Sequence, residues 1–289
     1  MRFRTVLAVT AVTAALGTVS ACGGKSASAM GQHASATPSA VAVSPVAYLV
    51  KVENATAKIH SFEVDRTLTM GTLNRMRIVG DEDWANGLQA NLTMSVKTSA
   101  PTSAPALQTK IRSDAVYLKV PAQKVATMRG KHWIKEPLAL IASQGAAGKA
   151  STDQLKQVNP ALAARMLIAS GNLRKVGQET VRGTNATHFT GTLDTTKLIA
   201  SRQGLTLDDV KFLKKQLAAQ GVAEAHIDLW VNGENLPVEA QEQMETNAAK
   251  LTSTAYFSHY GLVVNLSVPD ASDTYTLHSL PGDGQAGAA

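Results

Sequence analysis

The sequence is poor in cysteine and in aromatic side chains. Its 289 residues include one cysteine, Cys22, and phenylalanine, tryptophan and tyrosine together make up 4% of the chain. A single cysteine cannot form a disulfide within the chain. Few aromatic residues also argue against a nucleic-acid groove, where bases stack on aromatic side chains. We therefore expect no internal disulfide and no nucleic acid as a partner.

Long apolar runs are missing as well. The run Val6–Val19 carries no charge, but it is shorter than the roughly 20 residues that a membrane-spanning helix needs. The longest later stretch, Ala161–Ala169, is interrupted by Arg165. The sequence therefore predicts no transmembrane helix.

Patterns for metal, phosphate-loop and catalytic chemistry are not found. None of the seven histidines lies four residues from another, and the Gly-x-Ser-x-Gly pattern is missing. No phosphate-binding loop is predicted either, because Gly23-Gly24 lies in the Gly- and Ser-rich segment and Gly145–Gly148 has no Gly-Lys-Ser/Thr ending. His188 alternates with its neighbours in a predicted strand and is interpreted as a structural histidine. Asp228, between Ile227 and Leu229, should face solvent or a cross-strand partner. We expect no metal, no cofactor and no enzymatic activity, although the composition still permits a Ser-His-Asp hydrolase.

The first residues have the features of a bacterial export signal. Arg2 and Arg4 precede the apolar run, which ends in small residues. The segment Val19–Cys22 resembles the bacterial lipobox, in which an aliphatic and two small residues precede a cysteine. That resemblance implies a signal peptide at residues 1–21, lipid on the Cys22 thiol, and a cell-membrane anchor on the extracytoplasmic face. Loss of the signal peptide lowers the net charge from +6 to +4, since it removes two arginines and no acid.

Composition divides the remaining chain into three parts. Residues 22–44 are rich in Gly, Ser, Ala and Pro and cannot bury enough apolar surface to fold. They are interpreted as a lipidated flexible tether. Residues 45–280 form the predicted domain, and 281–289 a disordered tail.

Apolar residues in the domain change their spacing from helical to alternating and back. Helical spacing is found first in residues 45–59, and from Ser61 the period becomes two. Asn232-Gly233 is the strongest hairpin signal. Further helices are predicted at 137–143, after a cap at 151–153, and at 160–170, 195–202 and 207–219. Strands are predicted near 61–68, 75–83, 88–96, 132–134, 173–181, 184–193, 225–231, 238–245, 251–257 and 262–268. Residues 110–120 are predicted to form a tight hairpin that turns around Ser113-Asp114.

These elements predict an α+β fold with one strongly curved antiparallel sheet. Most strands alternate apolar and polar residues, so one face of the sheet should be buried and the other should face water. A sheet of about 10–11 strands curls, and the helices would cover its concave face as on an unclosed half-barrel. Two separate α+β lobes are the alternative.

Several short segments, together with the lipobox, resemble actinobacterial lipoproteins of the LppX/LprG type. They are Tyr117–Pro121, Gly130–Lys135, Gly177–Gly183, Thr187–Gly191, Ile227–Val231 and Leu236–Pro237. The resemblance implies a LolA/LolB-like fold, with an apolar cavity between the sheet and its helices. Characterised carriers of this family hold lipids or acylated glycolipids. The fold also serves a periplasmic stress regulator, and no catalytic residues come with it.

The sequence therefore favours an anchored protein that binds a lipid or other lipophilic molecule, with a role in transport across the cell envelope. The alternative is an envelope sensor or protein-binding module on the same fold, with an envelope protein as partner and no ligand. Burial of methylene groups would drive binding, at about 0.8 kcal/mol each. The candidate cavity-lining residues are Leu92, Met94, Val96, Leu162, Met166, Leu213, Ile227, Leu229, Val264 and Leu266.

Overall fold

The structure is a computed structural model that describes residues 44–71, 74–98, 105–145, 160–198, 206–219, 221–247 and 249–277. These residues belong to one structural unit, Val43–Ala289. The predicted signal peptide, Cys22, nearly all of the tether, the helix capped at 151–153 and the tail lie outside the described residues. The tether and domain boundaries stay predictions.

Four α-helices are described: α1 (Pro45–Thr56), α2 (Leu138–Ala142), α3 (Leu162–Ser170) and α4 (Leu207–Ala219). Helix α1 begins after Ser44, whose Oγ accepts a hydrogen bond from the Ala47 amide at 3.2 Å. Helix α3 ends before Gly171, which has the left-handed φ of 72° typical of a C-terminal cap. Among the described residues, no helix combines the length and apolarity that a bilayer crossing requires.

Twelve strands form one sheet in the order β12-β6-β5-β4-β3-β2-β1-β11-β10-β9-β8-β7. Their bounds are β1 Ser61–Met70, β2 Asn74–Asp83, β3 Gln89–Lys97, β4 Leu107–Ile111, β5 Ala115–Lys119, β6 Trp133–Pro137, β7 Arg174–Val181, β8 Thr184–Asp194, β9 Glu224–Asn232, β10 Pro237–Glu245, β11 Lys250–Ser258 and β12 Thr274–Thr276. Two antiparallel meanders, β1–β6 and β7–β11, are joined by pairing of β1 with β11. Strand β12 pairs with β6 in parallel.

This continuous sheet confirms the predicted curved, unclosed sheet architecture. The alternative of two separate lobes is wrong, because strands from both meanders share one hydrogen-bonded sheet.

Gly80 lies where β2 approaches β3 closely. Its φ is +154°, and a Cβ atom there would lie 2.0 Å from the Asn91 carbonyl oxygen. Glycine is therefore required where the two strands approach each other.

The inner face of the sheet, defined as the face that packs against helices, carries the main core. Leu49 of α1, Leu167 of α3 and Leu213 of α4 pack there with side chains from β1, β8, β9, β10 and β11. Phe62 and Phe189 are fully buried in this cluster. The main core therefore lies over the β7–β11 meander and β1.

The opposite, outer face has a small core of its own. Val181, Ala186, Trp230 and Val238 pack together there, with Tyr256 against them. Val181 ends β7 and Ala186 lies near the start of β8, so the tip of the β7–β8 hairpin packs against the outer face of β9–β11. A register shift in β10 between Pro237 and Glu239 accompanies this contact, and such bulges increase local bending.

The predicted strand at 262–268 is wrong. Residues 262–270 have no regular secondary structure. Side chains, rather than a neighbouring strand, bind the carbonyl groups of Leu262, Asn265, Leu266 and Ser267. Arg112 is 3% exposed and donates to the carbonyls of Leu266 and Ser267, at 3.0 and 2.8 Å. The segment leads into β12, which was not predicted from the sequence.

The helix predicted at 195–202 is not found in its described part, because residues 195–197 form a turn.

We predict that Arg112→Met lowers the free energy of unfolding by about 3–5 kcal/mol. Arg112 also donates to the carbonyls of Ala90 and Ile111, at 2.9 and 2.6 Å, so the variant leaves several buried acceptors unpaired. Urea unfolding followed by circular dichroism measures the change. The control Lys110→Met removes one exposed 3.2 Å bond to Ser267 and should cost less than about 1 kcal/mol. Equal losses in both variants would contradict this role for Arg112.

Candidate functional site

Three of the predicted lining residues lie on the inner face of β3. Leu92 and Met94 are half-buried, and Val96 is 39% exposed. Leu92 packs against the edge of the main core, whereas Met94 and Val96 are not part of it. The pairing places Met94 opposite Ile78 of β2, so this apolar surface continues onto the next strand.

The pairing register of the strands extends this apolar surface across both meanders. The residues that extend it were not among the predicted cavity-lining residues. Each of them shares the inner face with Met94 or Val96 through cross-strand pairing, and none is fully buried. We call the set, together with Leu92, Met94 and Val96, the open inner surface. Its other members are Leu68, Met70, Met76, Ile78, Leu107, Leu118, Ile134, Met244 and Leu251.

Methionines give this surface much of its character. Met70 is 46% exposed, and Met76, Met94 and Met244 are half-buried. Because the methionine side chain is unbranched and polarizable, it adapts to irregular apolar partners. The surface is thus apolar, adaptable and only partly covered, beside a core that is tightly packed.

The other predicted lining residues lie elsewhere. Leu162 packs against the main core, and four more are buried within it: Met166, Leu213, Ile227 and Leu229. Val264 is 8% exposed and Leu266 is half-buried, and both lie in the irregular segment held by Arg112. The structure therefore separates these residues from the open inner surface. A part in ligand binding stays a prediction for them, as lipidation does for Cys22, which lies outside the described residues.

Charged side chains interrupt the apolar inner face. The alternation of β1 places Arg66 there, and pairing adds Glu82 of β2 and Glu242 of β10. Glu82 is 4% exposed, and its Oε2 atom has no hydrogen-bond partner. Burial raises the pKa of both carboxyls, and the Arg66 charge acts in the opposite direction. The inner face therefore holds carboxyl groups that are biased toward their neutral form.

A hydrogen-bonded cluster on the outer face contains His188. Its Nδ1 and Nε2 lie 2.9 Å from carboxylate oxygens of Glu179 and Asp228, respectively, and its ring stacks on Trp230 at 4.2 Å. The hydrogen bond from Trp230 Nε1 and that from His188 lower the pKa of Glu179. His188 is thus a hydrogen-bonded histidine of the sheet, and the cross-strand partner predicted for Asp228 is confirmed. Within the described ranges, no group of three or more His, Cys, Asp or Glu side chains could hold a metal ion.

We predict that Glu82→Gln raises the free energy of unfolding by about 1–2 kcal/mol at pH 8. An acid whose pKa is raised on folding stabilises the protein at low pH, and this stabilisation is lost as pH rises through the folded-state pKa. The advantage of the neutral amide should therefore shrink as pH falls toward the usual glutamate pKa, about 4.3. Urea titrations at several pH values measure it. The exposed control, Glu234→Gln, should change stability little at any pH, and a similar gain there would refute the explanation.

Comparison with known proteins places the chain among bacterial lipoproteins. No known family model matches it. An uncharacterized 31.2 kDa protein from the rplA–rplJ intergenic region of Streptomyces griseus is 34% identical over 251 residues, covering 84% of this chain and 82% of that protein. SCO4650 of Streptomyces coelicolor, assigned as a candidate lipoprotein, is 32% identical over 295 residues, covering 94% and 93%.

Solved structures agree with this relationship at the level of fold. LprF from Mycobacterium bovis superposes with a TM-score of 0.50 and 16% identity, over 78% of this chain and 96% of LprF. The Mycobacterium tuberculosis lipoprotein LppX has a TM-score of 0.48 and 16% identity, over 77% and 98%. LprF shares the fold of this chain, and the resemblance to LppX/LprG-type lipoproteins is confirmed at that level. The chain belongs to the actinobacterial lipoprotein family that includes SCO4650, and it has the LolA-like fold of LppX/LprG-type lipoproteins.

Proposed function

We propose that this protein binds a lipid or another lipophilic molecule on the open inner surface and works by binding rather than by catalysis. The observation that carries the proposal is the row of half-buried Leu, Ile and Met side chains on the helix-facing side of β1–β6. A soluble protein gains stability by covering such side chains. An acyl chain laid against them would bury the same surface.

The energetics of such binding require little polar recognition. Each methylene that leaves water contributes about 0.8 kcal/mol, so an acyl chain gains several kcal/mol from apolar contact alone. The methionines Met70, Met76, Met94 and Met244 suit ligands that differ in length or branching. The surface therefore favours recognition of a class of apolar chains over recognition of one headgroup.

The proposed site of action is the extracytoplasmic face of the cell membrane, with the protein anchored through lipid on Cys22. The assignment of SCO4650 and the lipobox-like Val19–Cys22 both support an anchor. A Gly- and Ser-rich segment as long as residues 22–44 has a root-mean-square end-to-end distance of roughly 25 Å. The domain would thus remain close enough to the bilayer to receive or deliver a lipid, as transport across the envelope requires.

A protein-binding role without a ligand, as an envelope sensor or regulator, is the competing proposal. It requires the open inner surface, or another face, to be covered by an envelope protein. The two proposals differ in what accompanies the protein on purification, which is a lipid in one case and a polypeptide in the other.

We predict that Met94→Trp weakens binding of the fluorescent fatty acid 11-(dansylamino)undecanoic acid about 10-fold. The indole would occupy space next to Ile78 and Leu107 and displace about two methylene groups of the acyl chain. Fluorescence titration of the purified, unlipidated domain measures the change. Mass spectrometry of lipids extracted from wild type and variant provides a second readout.

The matched control is Thr93→Trp, on the exposed outer face of the same strand. It adds the same side chain one residue away and should leave binding unchanged. Equal weakening in both variants, or a wild-type protein that binds no probe and releases no lipid, would contradict the proposed inner-face site. Co-purification of an envelope protein in place of lipid would favour the sensor.

We also predict that Cys22→Ala moves the protein from the membrane fraction to the soluble extracytoplasmic fraction, since it removes the proposed acylated thiol. Metabolic labelling with a radioactive fatty acid should label the wild type only. Val19→Leu keeps an aliphatic residue at its position and serves as the control. Persistent labelling of Cys22→Ala would mean that another residue carries the lipid.

A further inference from the structure

The outer face has a polar recess where the two meanders meet. Side chains from β1, β2, β3, β10 and β11 surround a volume of about 730 Å³, together with Arg182 from the β7–β8 turn. We call it the outer recess. Its chemistry is opposite to that of the open inner surface, because its lining is mainly charged and hydroxyl side chains. A volume in the range of small-molecule sites distinguishes it from a flat polar surface.

The outer recess has an excess of positive charge. It contains Arg75, Arg77, Lys97 and Arg182, and its one carboxylate is Asp65. Arg77 Nε and Arg182 Nη2 both bind that carboxylate, at 2.8 and 2.9 Å. A single carboxylate therefore serves two guanidinium groups and leaves the other two cations uncompensated.

Arg75 and Lys97 are directly opposite each other in the β2–β3 pairing. Like charges at directly opposite positions of a sheet destabilise it. In the described part of the chain neither side chain forms an ion pair, and both are exposed. This pair of cations therefore does not stabilise the folded protein. An anion bound between them would gain a favourable electrostatic interaction with both.

Hydroxyl groups complete the lining. Thr67, Thr69 and Ser95 lie beside the arginines in the pairing, and Thr252 and Thr254 face them from β11. All five side chains are half-buried. Guanidinium and ammonium groups surrounded by Ser and Thr hydroxyls are the set of donors that binds phosphate oxygens in proteins.

One wall of the outer recess is already fixed. Arg182 has a left-handed φ of 47°, which is uncommon for a residue with a side chain. Its guanidinium lies 3.4 Å from the centre of the Tyr256 ring while it binds Asp65. Because stacking and an ion pair hold this side chain in place, a ligand would lose little entropy in ordering it.

We propose that the outer recess binds phosphate groups, carried either by a lipid headgroup or by a soluble phosphate ester. Arg75 and Lys97 supply the unpaired positive charge, and the threonine and serine hydroxyls donate to the remaining phosphate oxygens. The Arg182–Tyr256 pair bounds the site on one side. This site is separate from the open inner surface, and neither proposal depends on the other.

The test uses the purified, unlipidated domain at low ionic strength with three probes. These are inorganic phosphate, glycerol 3-phosphate, and vesicles of phosphatidylcholine with or without 30% phosphatidylglycerol. NMR titration reports soluble binding through the amide signals of Thr67, Thr69 and Thr254, and co-sedimentation reports vesicle binding. The test variant is Arg75→Gln/Lys97→Gln, which keeps both positions exposed and polar. The matched control is Arg174→Gln/Lys58→Gln, which removes one exposed arginine and one exposed lysine outside the recess.

We expect the wild type and the control to bind alike and the test variant to bind about 10- to 100-fold more weakly. Binding should also weaken as salt rises from 50 to 200 mM. Binding of the soluble probes alone identifies a phosphate-ester site, and binding of the anionic vesicles alone identifies a headgroup site. If no probe binds, or if both double variants lose binding equally, the proposal is overturned.

Discussion

The antiparallel pairing of β1 with β11 is the contact on which the rest of the structure depends. It joins residues about 190 positions apart in sequence, Ser61–Met70 and Lys250–Ser258, and turns two local meanders into one sheet. Without it each meander would have an exposed edge strand. The junction also contributes to both faces. Arg66 of β1 and its inner-face neighbours lie on one side, and Asp65, Thr67 and Tyr256 lie on the other.

Because side chains of β1 alternate strictly between the two faces of the sheet, this one strand contributes mainly apolar side chains to the inner face and polar side chains to the outer face. Val64, Arg66 and Leu68 belong to the inner face, and Asp65 and Thr67 to the outer. A shift of one residue in this pairing would exchange the two sets, so the register is specified strongly by the cost of exposing Phe62 and Val64. The same alternation shows why α1, α3 and α4 pack on the inner face, since the outer face is polar along β1–β3.

Much of the fold could be predicted from sequence because alternation is a local property. Strands β1–β3 and β8–β11 carry it clearly, and the segment 262–268 was mispredicted for the same reason. Val264 and Leu266 alternate as in a strand, but the carbonyls of that segment bind side chains distant in sequence, above all Arg112, and not a neighbouring strand. For the site, Met94 and Ile227 have equivalent local patterns. Only the position of the helices, a long-range property, makes Ile227 core and leaves Met94 on the open surface. Alternation along β1 and β2 also predicts that Arg66 and Glu82 lie on the inner face. It does not predict the electrostatic interaction between them, because the two residues belong to different strands.

The arrangement of the two proposed sites limits how one amphiphilic ligand could use both. Side chains of the open inner surface and of the outer recess point to opposite sides of the same sheet, so the backbone layer separates them. Met76 and Arg75 are consecutive in β2, yet an acyl chain contacting Met76 cannot place its own phosphate beside Arg75 without passing around a sheet edge. If both sites are occupied, they hold different molecules or different parts of the membrane surface. Outer-face contact with anionic headgroups would then leave the inner face free to exchange an apolar chain.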